Sequence, residues 1–218
     1  MSYKTKRLTT SSIMIAIAIT ISLICAVIPF LNLPFGGGFT IASMLPIVLI
    51  AYMYGTKWGL LSAFTYSILQ MLLSFNTVYA FFLPADENYM GSAGAAIMIC
   101  LIDYVIAYTA LGLGGVFRNV VKNKTLSIAL GVLLALSLRY IAHIISGYIF
   151  FGAWAEWFFT QDGFYQIGNA ILTTFDGKAL SLVYSIFYNG LFMIPEIIIT
   201  ILVSIPVSRI PYVKKTAE

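Results

Sequence analysis

The chain is 218 residues long, 61% hydrophobic and only 9% charged, with a formal net charge of +4. A soluble domain is roughly 45–50% apolar and about 25% charged, so water is excluded as the main solvent. The apolar runs are too long and too unalternating for barrel strands, and lipid forces a backbone to bond internally, which leaves helices. The expected fold is therefore an all-α integral membrane protein, and a nucleic-acid surface is excluded because the basic residues are scattered at the ends of apolar runs.

Asking for ~17–25 predominantly apolar residues between polar or Gly/Pro breaks predicts six transmembrane helices in one membrane domain over 1–218. Their places are about 11–30, 40–54, 58–75, 95–117, 126–151 and 180–207, the second being short. The first run follows Lys4, Lys6 and Arg7 as a secretory leader would, but it has the length of a full span and no small-residue cleavage site follows. Along it Ser12, Ala16 and Thr20 recur every four residues, a spacing that lets another helix approach closely, inside the bundle in the commoner case or from a partner in the other. A short turn at 31–38 holds three consecutive glycines, and long outer loops are expected at about 76–94 and 152–178. Their aromatics, among them Phe81, Phe82, Tyr89, Trp154, Trp157, Phe158 and Phe159, suit either anchors at headgroup level or a lid.

Lys and Arg are retained on the cytoplasmic side. Lys57, Arg118, Lys122, Lys124, Arg209, Lys214 and Lys215 fall on the same side as the basic start, while Asp86, Glu87, Glu156, Asp162 and Asp176 face a single Lys178 on the other. Both termini are thus expected in the cytoplasm of a multi-pass protein of the cell membrane. Cys25 and Cys100 sit in apolar runs as small hydrophobes. No metal-ligand cluster, phosphate-binding loop or nucleophile with an oriented base is visible, so neither a cofactor nor an enzymatic activity is expected, and any transport is energised by a partner or an ion gradient.

Ionisable residues inside spans are costly and are functional candidates by default. Four qualify: Asp103, Arg139, His143 and Glu196. Arg139 and His143 share a face of the fifth span, which Ser146 and Gly147 continue. Asp103, with Tyr104 beside it, lies at a depth similar to that of His143, Tyr184 and Asn189. A carboxylate, an imidazole, an amide and phenols at one depth suit a pocket for a small cationic or heteroaromatic ligand. The alternative is an Asp103–Arg139 ion pair that only fixes packing. Glu196, after Pro195, is expected outside the ligand site, as a partner of Arg139 or a contact for a second protein.

Several segments resemble the substrate-binding S components of energy-coupling factor (ECF) vitamin transporters, and within them the thiamine-specific members. They are RLTTSSIMIAIA, LPIVLIAYMYGTKWGLLSAFTYSILQM, LIDYVIAYTALGLGGVFR, LRYIAHIISGYIF and LVYSIFYNG, which together cover most of the membrane part. The resemblance implies that Asp103 stands where the family has a ligand-binding glutamate, with Tyr104 beside it, and that His143, Tyr184 and Asn189 match ligand-contacting residues directly. Tyr66 and Phe151 fall where the thiamine pattern has tryptophans. It also implies thiamine or a related vitamin as ligand, and as partners a transmembrane coupling protein, docked on Ser12, Ala16 and Thr20, and two cytoplasmic ATPases. The shorter Asp103 and the smaller rings at 66 and 151 leave another vitamin or a pyrimidine-type precursor as the second choice of ligand. An autonomous ion-coupled carrier would show internal repeats and broken helices at the midplane, and neither is evident.

Overall fold

The computed structural model describes residues 2–33, 38–83 and 92–216; most of the triple-glycine turn and Asp86, Glu87 and Tyr89 lie outside the described residues. The described chain is all-helical apart from one isolated bridge between Asn32 and Gly38. In order come α1 (Tyr3–Ala26), a 3-10 turn (Pro29–Leu31), α2 (Leu45–Tyr54), α3 (Thr56–Leu73) and α4 (Phe75–Ala80). Then follow α5 (Ala93–Asn119), α6 (Lys124–Phe150), α7 (Ala155–Phe159), α8 (Tyr165–Thr174), α9 (Gly177–Val207) and α10 (Pro211–Thr216).

Side-chain oxygens start three of these helices by accepting an otherwise unpaired backbone N–H. Ser2 accepts from Thr5 at 3.2 Å, Ser92 from Ala95 at 3.2 Å and Asn123 from Leu126 at 3.1 Å. The first cap explains why α1 begins well before residue 11: the basic residues bound the apolar run but continue the helix.

Among the described residues, four helices are long and apolar enough to cross a membrane: α1, α5, α6 and α9. The other two expected spans differ for separate reasons. Residues 40–44 form an irregular turn, which leaves α2 only 10 residues, about 15 Å against a hydrocarbon core of ~30 Å. α3 has 18 residues but turns Ser62, Tyr66, Ser67 and Gln70 inward. Apart from Lys57 and Thr65, which are exposed, its polarity is spent inside the bundle.

α2 is apolar all round and buries nine of its ten residues, as a core helix does. α3 and the C-terminal part of α5 close on it backbone to backbone. A Cβ on Gly59 would stand 2.7 Å from the Ala51 Cα, and one on Gly112 would stand 2.5 Å from the Leu60 nitrogen, so only glycine permits these crossings. α6 runs through the centre, packed on α9 and on α5, while α1 stays at the periphery.

Two expectations about loops and faces are corrected. The stretch 152–178 is not a loop: it folds as a 3-10 turn (Gly152–Trp154), α7, a second turn (Asp162–Phe164) and α8. Its aromatics supply the reason, because Phe158 and Phe159 are 5% and 1% exposed and Phe158 packs 5.3 Å from Tyr184 and 5.6 Å from Tyr188. Likewise 76–80 of the first expected loop belongs to the helix α4. On α1, internal packing uses Ser11, Ala18 and Cys25, a seven-residue repeat. Ser12, Ala16 and Thr20 all point out of the bundle.

Basic and aromatic side chains gather at one end of the bundle. The Arg7 guanidinium lies 3.9 Å from the Trp58 ring centre and Lys6 5.1 Å from that of Tyr212, while Arg118 donates to the Met53 carbonyl at 3.2 Å. The opposite end, reached by the C-terminal turns of α1, α3 and α6 and the first turns of α5 and α9, is hollow.

Candidate functional site

A cavity of about 390 Å³ opens in that opposite end, a size suited to a small-molecule ligand. Its position follows from the middle of α5. Residues Cys100–Ile106 are π-helical between an ordinary helical start and a 3-10 end, Ala110–Asn119. A π segment widens the helix and re-aims its side chains, a device common at functional sites. Here it carries Asp103 and Tyr104, both of which line the cavity.

The Asp103 carboxylate is held by α6. Its Oδ1 lies 2.8 Å from His143 Nδ1, and Ser146 donates to its Oδ2 at 2.6 Å. With Nδ1–H given to the carboxylate, His143 Nε2 is left buried without a partner among the described residues, and the ring meets Phe192 edge-on at 5.7 Å. From α9, Asn189 Nδ2 donates to the Ser185 carbonyl at 2.9 Å and to the His143 carbonyl at 3.2 Å, which sets the amide against the same turn of α6. A carboxylate that accepts two oriented hydrogen bonds and still borders an aromatic hollow is arranged for a cationic or hydrogen-bond-donating guest.

Six of the seven residues expected to contact ligand line this one cavity: Asp103, Tyr104, His143, Phe151, Tyr184 and Asn189. The seventh does not. Tyr66 is fully buried behind Tyr108, 5.6 Å away ring to ring, and takes a hydrogen bond from Gln70, which itself lines the cavity and also donates to Ser22 at 3.0 Å. The alternative reading, an Asp103–Arg139 ion pair, is absent among the described residues, because His143 and Ser146 occupy the carboxylate. Arg139 turns instead to α5 and α2, donating to Tyr108 Oη at 3.1 Å and Met44 Sδ at 2.9 Å with its guanidinium 4.3 Å from the Tyr108 ring centre. Nor does Glu196 pair with Arg139 or reach a surface: it is fully buried and bonded to Thr40 and Thr200.

Sequence reasoning missed Tyr108, Tyr188 and Gln70 as cavity residues. The first two had a readable signal, since each follows a named tyrosine by four residues and so shares its helical face. Gln70 had none beyond being an amide in an apolar run.

Apolar helices of membrane-crossing length around a polar cluster in an aromatic hollow define a membrane protein with a cavity of small-molecule size. A family model described as thiamine transporter protein (Thia_YuaJ) matches residues 8–157, and the chain belongs to that family. It is 28% identical over 206 residues to the thiamine transporter ThiT of Bacillus subtilis (strain 168), an alignment covering 90% of this chain and 87% of that one. The chain is accordingly a ThiT-like multi-pass protein of the cell membrane, in a family of transporters rather than enzymes.

Proposed function

We propose that this chain is the thiamine-binding S component of an energy-coupling factor transporter. In this reading it crosses the membrane six times, the irregular stretch before α2 completing that short crossing, with both termini in the cytoplasm, the basic end facing inward and the cavity outward. Thiamine enters the cavity with its cationic part toward Asp103 and its rings against Phe151, Tyr104 and Tyr184, while His143 and Asn189 meet its polar edges. The observation that carries the reading is the Asp103–His143–Ser146 cluster set into an aromatic cavity of about 390 Å³ in a chain of this family.

Coupling needs partners, since no nucleotide-binding motif is visible in the sequence. The outward-facing Ser12, Ala16 and Thr20 stripe of α1 supports docking of a transmembrane coupling protein, which two cytoplasmic ATPases drive. The hydroxyls of Ser12 and Thr20 are bonded back to Leu8 and Ala16 carbonyls, so the stripe is smooth as well as small. The test is uptake of labelled thiamine into vesicles holding this chain with and without the coupling protein and ATPases. Uptake only in the complete set supports the proposal, and equal uptake by the chain alone refutes it.

A further inference from the structure

Glu196 is a buried ionisable residue that the binding site leaves unused. It sits on α9 away from the cavity lining, with no exposed surface. Its carboxylate accepts from the Thr40 backbone N–H, from the Thr40 hydroxyl at 2.8 and 2.9 Å to its two oxygens, and from the Thr200 hydroxyl at 3.3 Å. Thr40 therefore faces two ways, because it also lines the cavity with its neighbours Phe39 and Gly38.

The segment from Gly38 to Met44 is held at its other end as well, where Met44 takes the hydrogen bond from Arg139. Between the two attachments Ala42 has a φ of +58°, a left-handed conformation that a non-glycine residue keeps only where its surroundings enforce it. Phe39 N–H also bonds the Leu31 carbonyl at 3.1 Å and Ile41 N–H the Cys25 sulfur at 3.5 Å, so the segment is a strained cavity wall that the buried carboxylate helps to place.

We infer that Glu196 is a positioning residue for the ligand: by holding Thr40 it keeps the Phe39–Thr40 wall closed on the bound molecule and sets how slowly that molecule leaves. The inference rests on the proposed thiamine site. Three donors converge on Glu196, and a glutamine offers them a single acceptor oxygen, so Glu196→Gln releases part of the hold while keeping the shape. Thr40→Val removes only the hydroxyl and keeps the backbone N–H.

The experiment is stopped-flow thiamine binding to the full-length protein in detergent, read by tryptophan fluorescence, with ligand-free thermal unfolding measured alongside and Asp103→Asn as control. Expected is a thiamine dissociation rate raised about tenfold in both variants, the worth of one hydrogen bond to a charged group, with association changed less. If Glu196→Gln fails to fold, Thr40→Val decides alone. Dissociation within twofold of the parent, together with weakened binding by Asp103→Asn, overturns the inference and leaves the site standing. A fall in the unfolding midpoint with an unchanged dissociation rate overturns it too, assigning Glu196 to packing alone. Parent-like binding by Asp103→Asn overturns the site, and the inference with it.

Discussion

Replacing Asp103 with asparagine removes a negative charge and almost nothing else. The amide matches the carboxylate in size and keeps an oxygen for the His143 Nδ1–H, which lies 2.8 Å from it, while the Ser146 hydroxyl, 2.6 Å from Oδ2, can rotate to accept from the new NH2. The change therefore isolates charge from shape. A cation about 4 Å from a carboxylate gains about 4 kcal/mol at an effective dielectric constant of 20, before the cost of leaving water. The net worth of a hydrogen-bonded charged contact is about 1.5–3 kcal/mol. Thiamine should thus bind Asp103→Asn roughly 10- to 150-fold more weakly, measured by calorimetric titration of the purified protein. The neutral aminopyrimidine half of the vitamin, titrated in parallel, should lose much less. A thiamine Kd within twofold of the parent refutes the reasoning, and an equal loss for both ligands shows that the substitution damaged shape rather than charge.

Ser146→Ala deletes one of the two donors that orient the Asp103 carboxylate and should weaken thiamine binding about 2- to 10-fold by the same titration, the worth of a single hydrogen bond. Gly112→Val places a side chain where the Leu60 backbone stands, which no rotamer relieves; it should cost more than the ~1–3 kcal/mol of ordinary overpacking and show as loss of the monodisperse peak in gel filtration. Ala42→Gly relieves a left-handed residue, a gain of ~1–2 kcal/mol offset by about 0.5–1 from glycine's greater freedom when unfolded. Its unfolding midpoint should rise by roughly 1–4 °C in a thermal melt.

The membrane class and the polar cluster at the cavity were legible because both are written in contrasts. A charged or imidazole side chain stands out in an apolar run, and helical spacing alone put His143, Ser146 and Gly147 on one face. What resisted reading was the choice of partner. Asp103, Arg139 and His143 lie at comparable depths, and opposite charges invite the pairing of the first two. The structure prefers His143 and Ser146 for the aspartate and leaves the arginine to a tyrosine ring and a thioether. That preference turns on the rotation of one helix about its axis, which the π-helical stretch Cys100–Ile106 alters and which no periodicity of single residues records.

The same limit governs two further stretches that differed, 40–44 and 152–178. Residues 40–44 read as the start of a span because Ile41, Ala42 and Met44 are apolar, yet their backbone forms a turn tied to Glu196, 156 positions from Thr40 along the chain. Residues 152–178 read as a loop because charges and glycines interrupt them, yet Phe158 and Phe159 find Tyr184 and Phe187 to pack against and fold the segment over α9. In both places a local pattern lost to a distant contact. Thr40 and Tyr184, one from each contact, both line the cavity, so these two departures from local expectation meet where the hydrophobic core borders the proposed site.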